Sequence, residues 1–384
     1  VPRRYFDHAA ITPMVPQAIE AMTQELTRVG NASSLHGSGR AARRVVEESR
    51  EVIAACVGAR PSEVIFTSGG TEADNLAVKG AFWARPTRSS VVTSGVEHAA
   101  VLDSVCWLGA VGADVSTVGV DITGRIDVAA LSEAVSDSTA VVSVMWGNNE
   151  VGTLQPIAEG VEIADQHGAV THSDAVQAVG HVPVDFATSG LDLLSLSAHK
   201  LGGPNGIGAL LARRDATLTP ILHGGGQERD VRSGTLDVAA AAGFAAALEL
   251  ATERLYAEER RLRELRALLI MEVLAAVPDA VLHGPANPAD ALPGIVNVSF
   301  PGCSADALLL LLDAADIDCS TGSACSAGVA QPSHVLLAMG GGEAEARSSL
   351  RFSLGHTSTA TDIDALAAAL PVAISRARLA GAIA

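Results

Sequence analysis

The sequence predicts an α/β fold, a large domain with a mostly parallel sheet flanked by helices, followed by a smaller α+β unit. Three observations carry this. Short β-rich runs alternate with helical patterns from about residue 40 to 250. A long helical pattern over 238–277 ends at Pro278. The chain has 384 residues, more than the roughly 250–300 that one hydrophobic core usually fills.

In chain order, the segments 64–67, 91–94, 114–118, 140–146, 169–173, 192–197 and 207–211 read as strands, from their Val, Ile, Thr and Leu content between turn residues. The intervening 70–83 and 98–108 read as helices. Beyond Pro278, strands are expected at 295–300 and 349–354 and helices at 305–314, 332–339 and 361–379. The expected division is a large domain over 14–257 and a small one made of 1–13 and 258–384, the extreme N-terminus packing into the latter.

Composition excludes several classes of function. A formal charge of −17 disfavours direct nucleic-acid binding, which draws on neutralised phosphates. No apolar run reaches the roughly 18 residues that a membrane span needs, and the alanine-rich 238–248 reads as a buried helix. The basic start, Val1 to His8, has no apolar stretch behind it, so a signal peptide is not expected and a cytoplasmic protein is. Five widely spaced cysteines without a C-x-x-C pair indicate neither a disulfide framework nor a zinc site, and no metal is expected.

Three pieces suggest an aldehyde cofactor bearing a phosphate. Ser68-Gly69-Gly70-Thr71 places a glycine turn between a strand and a helix N-terminus, where free N–H groups and the helix dipole favour an anion. Thr71-x-x-Asp74 equally fits a capping box, and both readings stay open. Asp174 follows a strand, where ligands sit in open α/β sheets, and a carboxylate there pairs with a protonated ring nitrogen or simply caps a turn. Lys200, in Ser197-Ala198-His199-Lys200-Leu201-Gly202-Gly203, lies just past the next strand end, suited to a Schiff base. His223-Gly224-Gly225-Gly226 resembles a lipase oxyanion run, but without a G-x-S-x-G elbow a serine hydrolase is rejected.

The ordered set Asp7-His8-Ala9-Ala10, Gly30-Asn31-Ala32-Ser33-Ser34-Leu35-His36, Ser68 to Glu72, Glu97-His98, Asn148 to Gly152, Asp174 to Gln177, Ser197 to Lys200, His223 to Glu228, Arg232 to Thr235 and Ser323-Ala324-Cys325 resembles the cysteine desulfurases of the IscS/NifS type, of the class V aminotransferase group with the fold-type I pyridoxal-phosphate architecture. The resemblance runs through nearly the whole chain. It implies pyridoxal 5'-phosphate held as a Schiff base by Lys200, with Asp174 at the pyridine nitrogen, Gln177 at the ring hydroxyl and His98 stacked on the ring as an acid–base group. Gly70, Thr71, Ser197 and His199 would hold the phosphate, with Thr235 reaching over from the second subunit of a homodimer. Asn149, Arg351 and Asn31 would bind the substrate L-cysteine, the guanidinium donating to its carboxylate.

Cys325 lies in a run of small residues, Thr321 to Pro332, expected to be mobile and exposed. It is read as the nucleophile that takes sulfur from L-cysteine as a persulfide, leaving L-alanine, for delivery to a sulfur-acceptor protein in iron–sulfur assembly, tRNA thiolation or DNA sulfur modification. The segment, about 320–333, resembles that of the long-loop group. Cys56, Cys106 and Cys303 are expected to be inert and buried, and Cys319 is considered for sulfur relay. Ile11 and Ala198 depart from the usual Thr and Gly, changes expected to adjust packing. A selenocysteine lyase, a class V aminotransferase and a slow sulfur-carrying scaffold are the competing readings.

Overall fold

A computed structural model describes residues 3–322 and 331–381. Its strands, in chain order, are β1 (Arg4–Tyr5), β2 (Val64–Thr67), β3 (Ser90–Ser94), β4 (Asp114–Val118), β5 (Thr139–Ser143), β6 (Val170–Asp174), β7 (Leu193–Ser197), β8 (Gly208–Ala212), β9 (Val281–His283), β10 (Ile295–Ser299), β11 (Ile317–Asp318) and β12 (Ser349–Ser353). The helices are α1 (Pro16–Leu26), α2 (Gly37–Cys56), α3 (Gly70–Trp83), α4 (Ala99–Ala110), α5 (Val128–Ala134), α6 (Ile157–Gln166), α7 (Phe186–Ser189), α8 (Val238–Ala276), α9 (Ala305–Asp313), α10 (His334–Ala338), α11 (Glu343–Ala346) and α12 (Ala360–Gly381).

Seven strands form one sheet in the order β2-β8-β7-β6-β5-β3-β4. The pairs from β7 through β6, β5 and β3 to β4 are parallel, and only β8 runs antiparallel to its neighbours β7 and β2. Both faces are covered, which explains why the strands read as near-continuous apolar runs. Successive residues point to opposite sides: Phe66, Leu194 and Leu211 join one apolar cluster, Ile65, Leu193 and Leu210 another. A separate three-stranded antiparallel sheet, β12-β10-β9, supports a third cluster containing Phe6, Phe300, Phe352 and Leu366.

Helix α8 joins the two halves. Its 39 residues span about 58 Å at 1.5 Å each; Phe244 and Leu248 pack into the large-sheet cluster, Leu262, Leu269 and Val273 into the small-sheet one. Among the described residues, no helix is long and apolar enough to cross a membrane. The N-terminal strand β1 pairs in parallel with β11, and Asp7 bridges to Ser353. This ties the beginning of the chain to its last third.

Candidate active site

The site forms where β6 and β7 end and α3 begins. Asp174 is the last residue of β6 and 5% exposed, its Oδ1 accepting the Val176 N–H at 2.9 Å. Burial pushes its carboxyl pKa up, while His98, the Val176 N–H and Lys200 pull it down. His98 caps α4, its Nδ1 accepting the Ala100 N–H at 3.2 Å. The ring is exposed, yet one of its nitrogens and carboxylate oxygens of Asp174 and Asp74 lie within 4.8 Å of one another.

Lys200 ends a short 3-10 turn that follows β7. Its Nζ donates to the carbonyls of Ala9 and Ala10, at 2.6 and 2.7 Å. Burial brings its pKa down to about 8, Arg351 pushing the same way and Asp174 and Asp7 opposing. Gln177 Nε2 donates to the same Ala9 carbonyl at 2.8 Å, so lysine and amide converge on one acceptor. The departure at Ala198 has a structural answer: a Cβ on Gly203 would stand 2.8 Å from the Ala198 methyl, so glycine at 203 makes the room. Ile11 is 41% exposed and contributes its carbonyl, which accepts the Tyr5 hydroxyl at 2.7 Å.

The turn after β7 that carries the lysine also faces the N-terminus of α3, a geometry suited to an anion. Gly69, at φ 150°, is the N-cap of α3, and a Cβ on Gly70 would lie 2.8 Å from Val176 Cγ2 and 3.7 Å from Ser197 Cβ. Glycine therefore keeps the helix N-terminus open to a ligand. Ser197 Oγ hydrogen-bonds with His199 Nδ1 at 2.8 Å. Burial and the Lys200 charge bring the His199 pKa down to about 4, which leaves a neutral imidazole. The capping-box alternative for Thr71 is not realised. Thr71 lies exposed in the first turn, Glu72 takes the Ser68 N–H at 2.7 Å, and Asp74 is buried under the site.

The loop carrying Thr235 is anchored by groups that sequence reasoning missed. Glu228 and Arg50, 1% and 8% exposed, form a two-pronged pair at 2.7 and 2.8 Å, and Glu228 also accepts the Phe66 N–H at 2.8 Å. Arg232 reaches Glu72 at 2.8 Å. The available signal was Glu228 itself, an acid within the motif His223 to Glu228 to which the sequence reading gave no role. Thr235 itself is exposed. Replacing Arg50 with Ala strands the Glu228 carboxylate, and chemical denaturation is expected to record a loss of about 3–5 kcal/mol.

Arg351, in β12, is 4% exposed. Its Nη2 pairs with Asp7 Oδ1 at 2.8 Å and Nη1 donates to the Asn149 carbonyl at 2.9 Å, while its buried Nε has no hydrogen-bond partner among the described residues. Asn149 thus meets Arg351 through backbone, not through its amide. Asn31 is exposed; its side chain takes the Ser33 N–H at 2.8 Å, and among the described residues its hydrogen bonds do not reach the lysine.

Cys325 lies outside the described residues, but both flanks of its segment come to this site. Ser320 and Arg351 exchange backbone hydrogen bonds at 2.7 and 3.2 Å. A Cβ on Gly322 would stand 3.2 Å from Glu150 Oε2, the oxygen that accepts Ser333 Oγ–H at 2.6 Å. The other cysteines need correction. Cys106 is exposed, and Cys56 and Cys303 are only half-buried. Cys319 is 8% exposed, and burial pushes its thiol up to about 12, which leaves too little thiolate at neutral pH for a relay nucleophile.

A cofactor with an aldehyde, a ring nitrogen and a phosphate fits these donors. The lysine amine, the Asp174 carboxylate and the open α3 N-terminus answer those three groups in turn, and Gly70 supplies the space. The aminotransferase class-V family model matches residues 4–366. The chain is 57% identical over 381 residues, 97% of either chain, to an IscS-like cysteine desulfurase of Mycobacterium tuberculosis. It is 43% identical over 362 residues, 94% of this chain and 91% of the relative, to a cysteine desulfurase IscS of Dictyoglomus turgidum. A solved NifS-like protein superposes with a TM-score of 0.91 at 33% identity, covering 97% of this chain and 99% of that one.

Proposed function

The chain belongs to the class-V aminotransferases and within them is a pyridoxal-phosphate-dependent cysteine desulfurase of the IscS/NifS type, and from that premise we propose how its residues divide the work. Lys200 holds the cofactor, Asp174 pairs with its ring nitrogen, Gln177 with its ring hydroxyl, and His98 covers the ring. Gly70, Thr71, Ser197 and His199 take the phosphate. When bound, the cofactor withdraws electrons from the substrate's α-carbon and so acidifies its proton.

Lys200 removes that proton, a role suited to an amine whose pKa is brought down to about 8. Arg351 binds the carboxylate of L-cysteine, exchanging Asp7 for the substrate and using its unpartnered Nε, with Asn149 fixing the fork through its carbonyl; Asn31 lines the entrance. The Cys325 thiolate attacks the substrate sulfur. A sulfur–sulfur bond forms as the carbon–sulfur bond breaks; the electron pair stays with the carbon fragment, which takes up protons to leave as L-alanine. The persulfide on Cys325 then passes to an acceptor protein, in iron–sulfur assembly, tRNA thiolation or DNA sulfur modification.

The observation that carries this reading is the pairing of Ser320 with Arg351, whose guanidinium meets Asp7, two residues before the Ala9 carbonyl that holds Lys200. Chain connectivity keeps Cys325, three residues on, within about 11 Å of Gly322. The working unit in this reading is a homodimer in which Thr235 completes the neighbouring phosphate site. Exposure of Thr235 and of the apolar Val29 and Leu35, 89% and 86%, supports it. A large domain over 14–257 and a small one of 1–13 and 258–384 flank the site, and the protein works in the cytoplasm, consistent with five cysteines lacking a disulfide framework.

Incubated with L-cysteine and a thiol reductant, the purified holoprotein is expected to release L-alanine and sulfide in equal amounts. Pyruvate and ammonia in place of alanine would refute the assignment of the sulfur attack.

A further inference from the structure

Asp74 takes no part in the chemistry described so far. It is 1% exposed on α3, and among the described residues it is neither cap nor partner of a Lys or Arg and its Oδ1 has no hydrogen-bond partner. Yet its carboxylate lies within 4.8 Å of that of Asp174. Four groups from the surrounding elements face the two acids. From β6, His172 Nε2 stands 3.6 Å from Asp74 Oδ1. Both ring nitrogens are engaged by hydroxyls, Nε2 with Ser195 at 2.9 Å and Nδ1 with Ser143 at 2.8 Å. Burial brings the His172 pKa down to about 3, so it supplies no positive charge.

From the turn after β3, buried Glu97 adds a third acid. Its Oε1 accepts Ser94 Oγ–H at 2.5 Å and the Met145 N–H at 2.8 Å, its Oε2 has no partner, and burial raises its pKa to about 8. His98 and Lys200 complete the set, and both act to favour a charge on Asp174.

We propose that Asp74 is a positioning residue that stays a neutral acid at neutral pH, so that Asp174 is the one charged carboxylate of this buried pair and faces the cofactor's ring nitrogen alone. The inference rests on the reading of Asp174 given above. Two carboxylates within 4.8 Å in a dry interior strongly disfavour ionising together. The charge settles where donors are: Asp174 has the Val176 N–H, His98 and Lys200, while Asp74 has the Ser195 hydroxyl and a neutral imidazole. Burial, and then Asp174 itself, hold the Asp74 pKa well above the usual carboxylate range. A second ionised carboxylate would double the charge under the ring; a neutral one supports Asp174 without competing for the ring proton.

The test compares infrared spectra of the wild-type and Asp74→Asn holoenzymes at neutral pH. The variant is expected to lose the carbonyl stretch of a protonated carboxylic acid. Loss of carboxylate stretches instead overturns the proposal. A second measurement follows the bound cofactor's visible absorbance against pH in Asp74→Asn, or in Asp74→Ser should the first variant not fold. The midpoint is expected to move by less than about half a unit, because a neutral group replaces a neutral group. A shift of about a unit or more, the mark of a charge removed from beneath the cofactor, also overturns the proposal. Asp174→Asn separates the two readings: an unaltered visible titration there sinks the ring-nitrogen role of Asp174, while the infrared result for Asp74 stands independently.

Discussion

Cys325→Ser is expected to lower L-alanine formation from L-cysteine by about 10³-fold or more, and mass spectrometry of the reacted protein is expected to show no added sulfur. The hydroxyl that replaces the thiol is a far weaker nucleophile at neutral pH, whereas a free thiol of reference pKa near 8.5 is already a few per cent thiolate. The variant is also expected to keep the visible band of the bound cofactor. The side chains expected to hold that cofactor, Lys200, Asp174 and the α3 N-terminus, belong to the large sheet and its turns, far along the chain from residue 325. A serine variant that still releases alanine at the wild-type rate contradicts the role given to Cys325, whichever residue then carries the sulfur.

The second large effect is expected at Lys200. Lys200→Ala is expected to abolish covalent retention of the cofactor, read as its loss on gel filtration under denaturing conditions after borohydride treatment, and to lower turnover by about 10³-fold or more as an acid–base group disappears. In the wild-type protein the pH sign follows from the depressed pKa. The amine must be unprotonated to attack an aldehyde, and its pKa is about 8 in place of 10.5. The rate at which apoprotein takes up cofactor should therefore climb as pH rises through about 8 and level off above it. A rise continuing to pH 10 or beyond would mean that burial does not neutralise this amine.

Much of this was legible in the sequence because the large sheet writes itself in local patterns. The helix at 70–83 and the strands at 64–67 and 114–118 match α3, β2 and β4 to the residue. The strand expected over 140–146 is shorter: its pairing with β3 ends at Ser143, while on the other side Val144 N–H and Trp146 N–H go on bonding to the His172 and Asp174 carbonyls of β6. The antiparallel sense of β8 was hidden, since a buried strand reads alike in either direction. At the site, residue types announced Asp174 and Lys200, but not their company. Nothing local tells that Arg50 meets Glu228 across 178 positions, or that Asp7 meets Arg351 across 344. Asp74 looked like the end of a capping box because a motif gives spacing and not depth; burial, set by packing of α3 on the sheet, decided otherwise.

The pairing of β1 with β11, and of Asp7 with Arg351, bears on biosynthesis. Lys200 rests on the carbonyls of Ala9 and Ala10, a stretch whose own partners, Asp318, Arg351 and Ser353, are made more than 300 residues later. The large sheet can collapse earlier, during translation, since its strands all lie between residues 64 and 212. The lysine's support is therefore among the last parts to lock, and a nascent chain stalled before residue 317 would carry a nearly finished sheet with no place for its amine to rest.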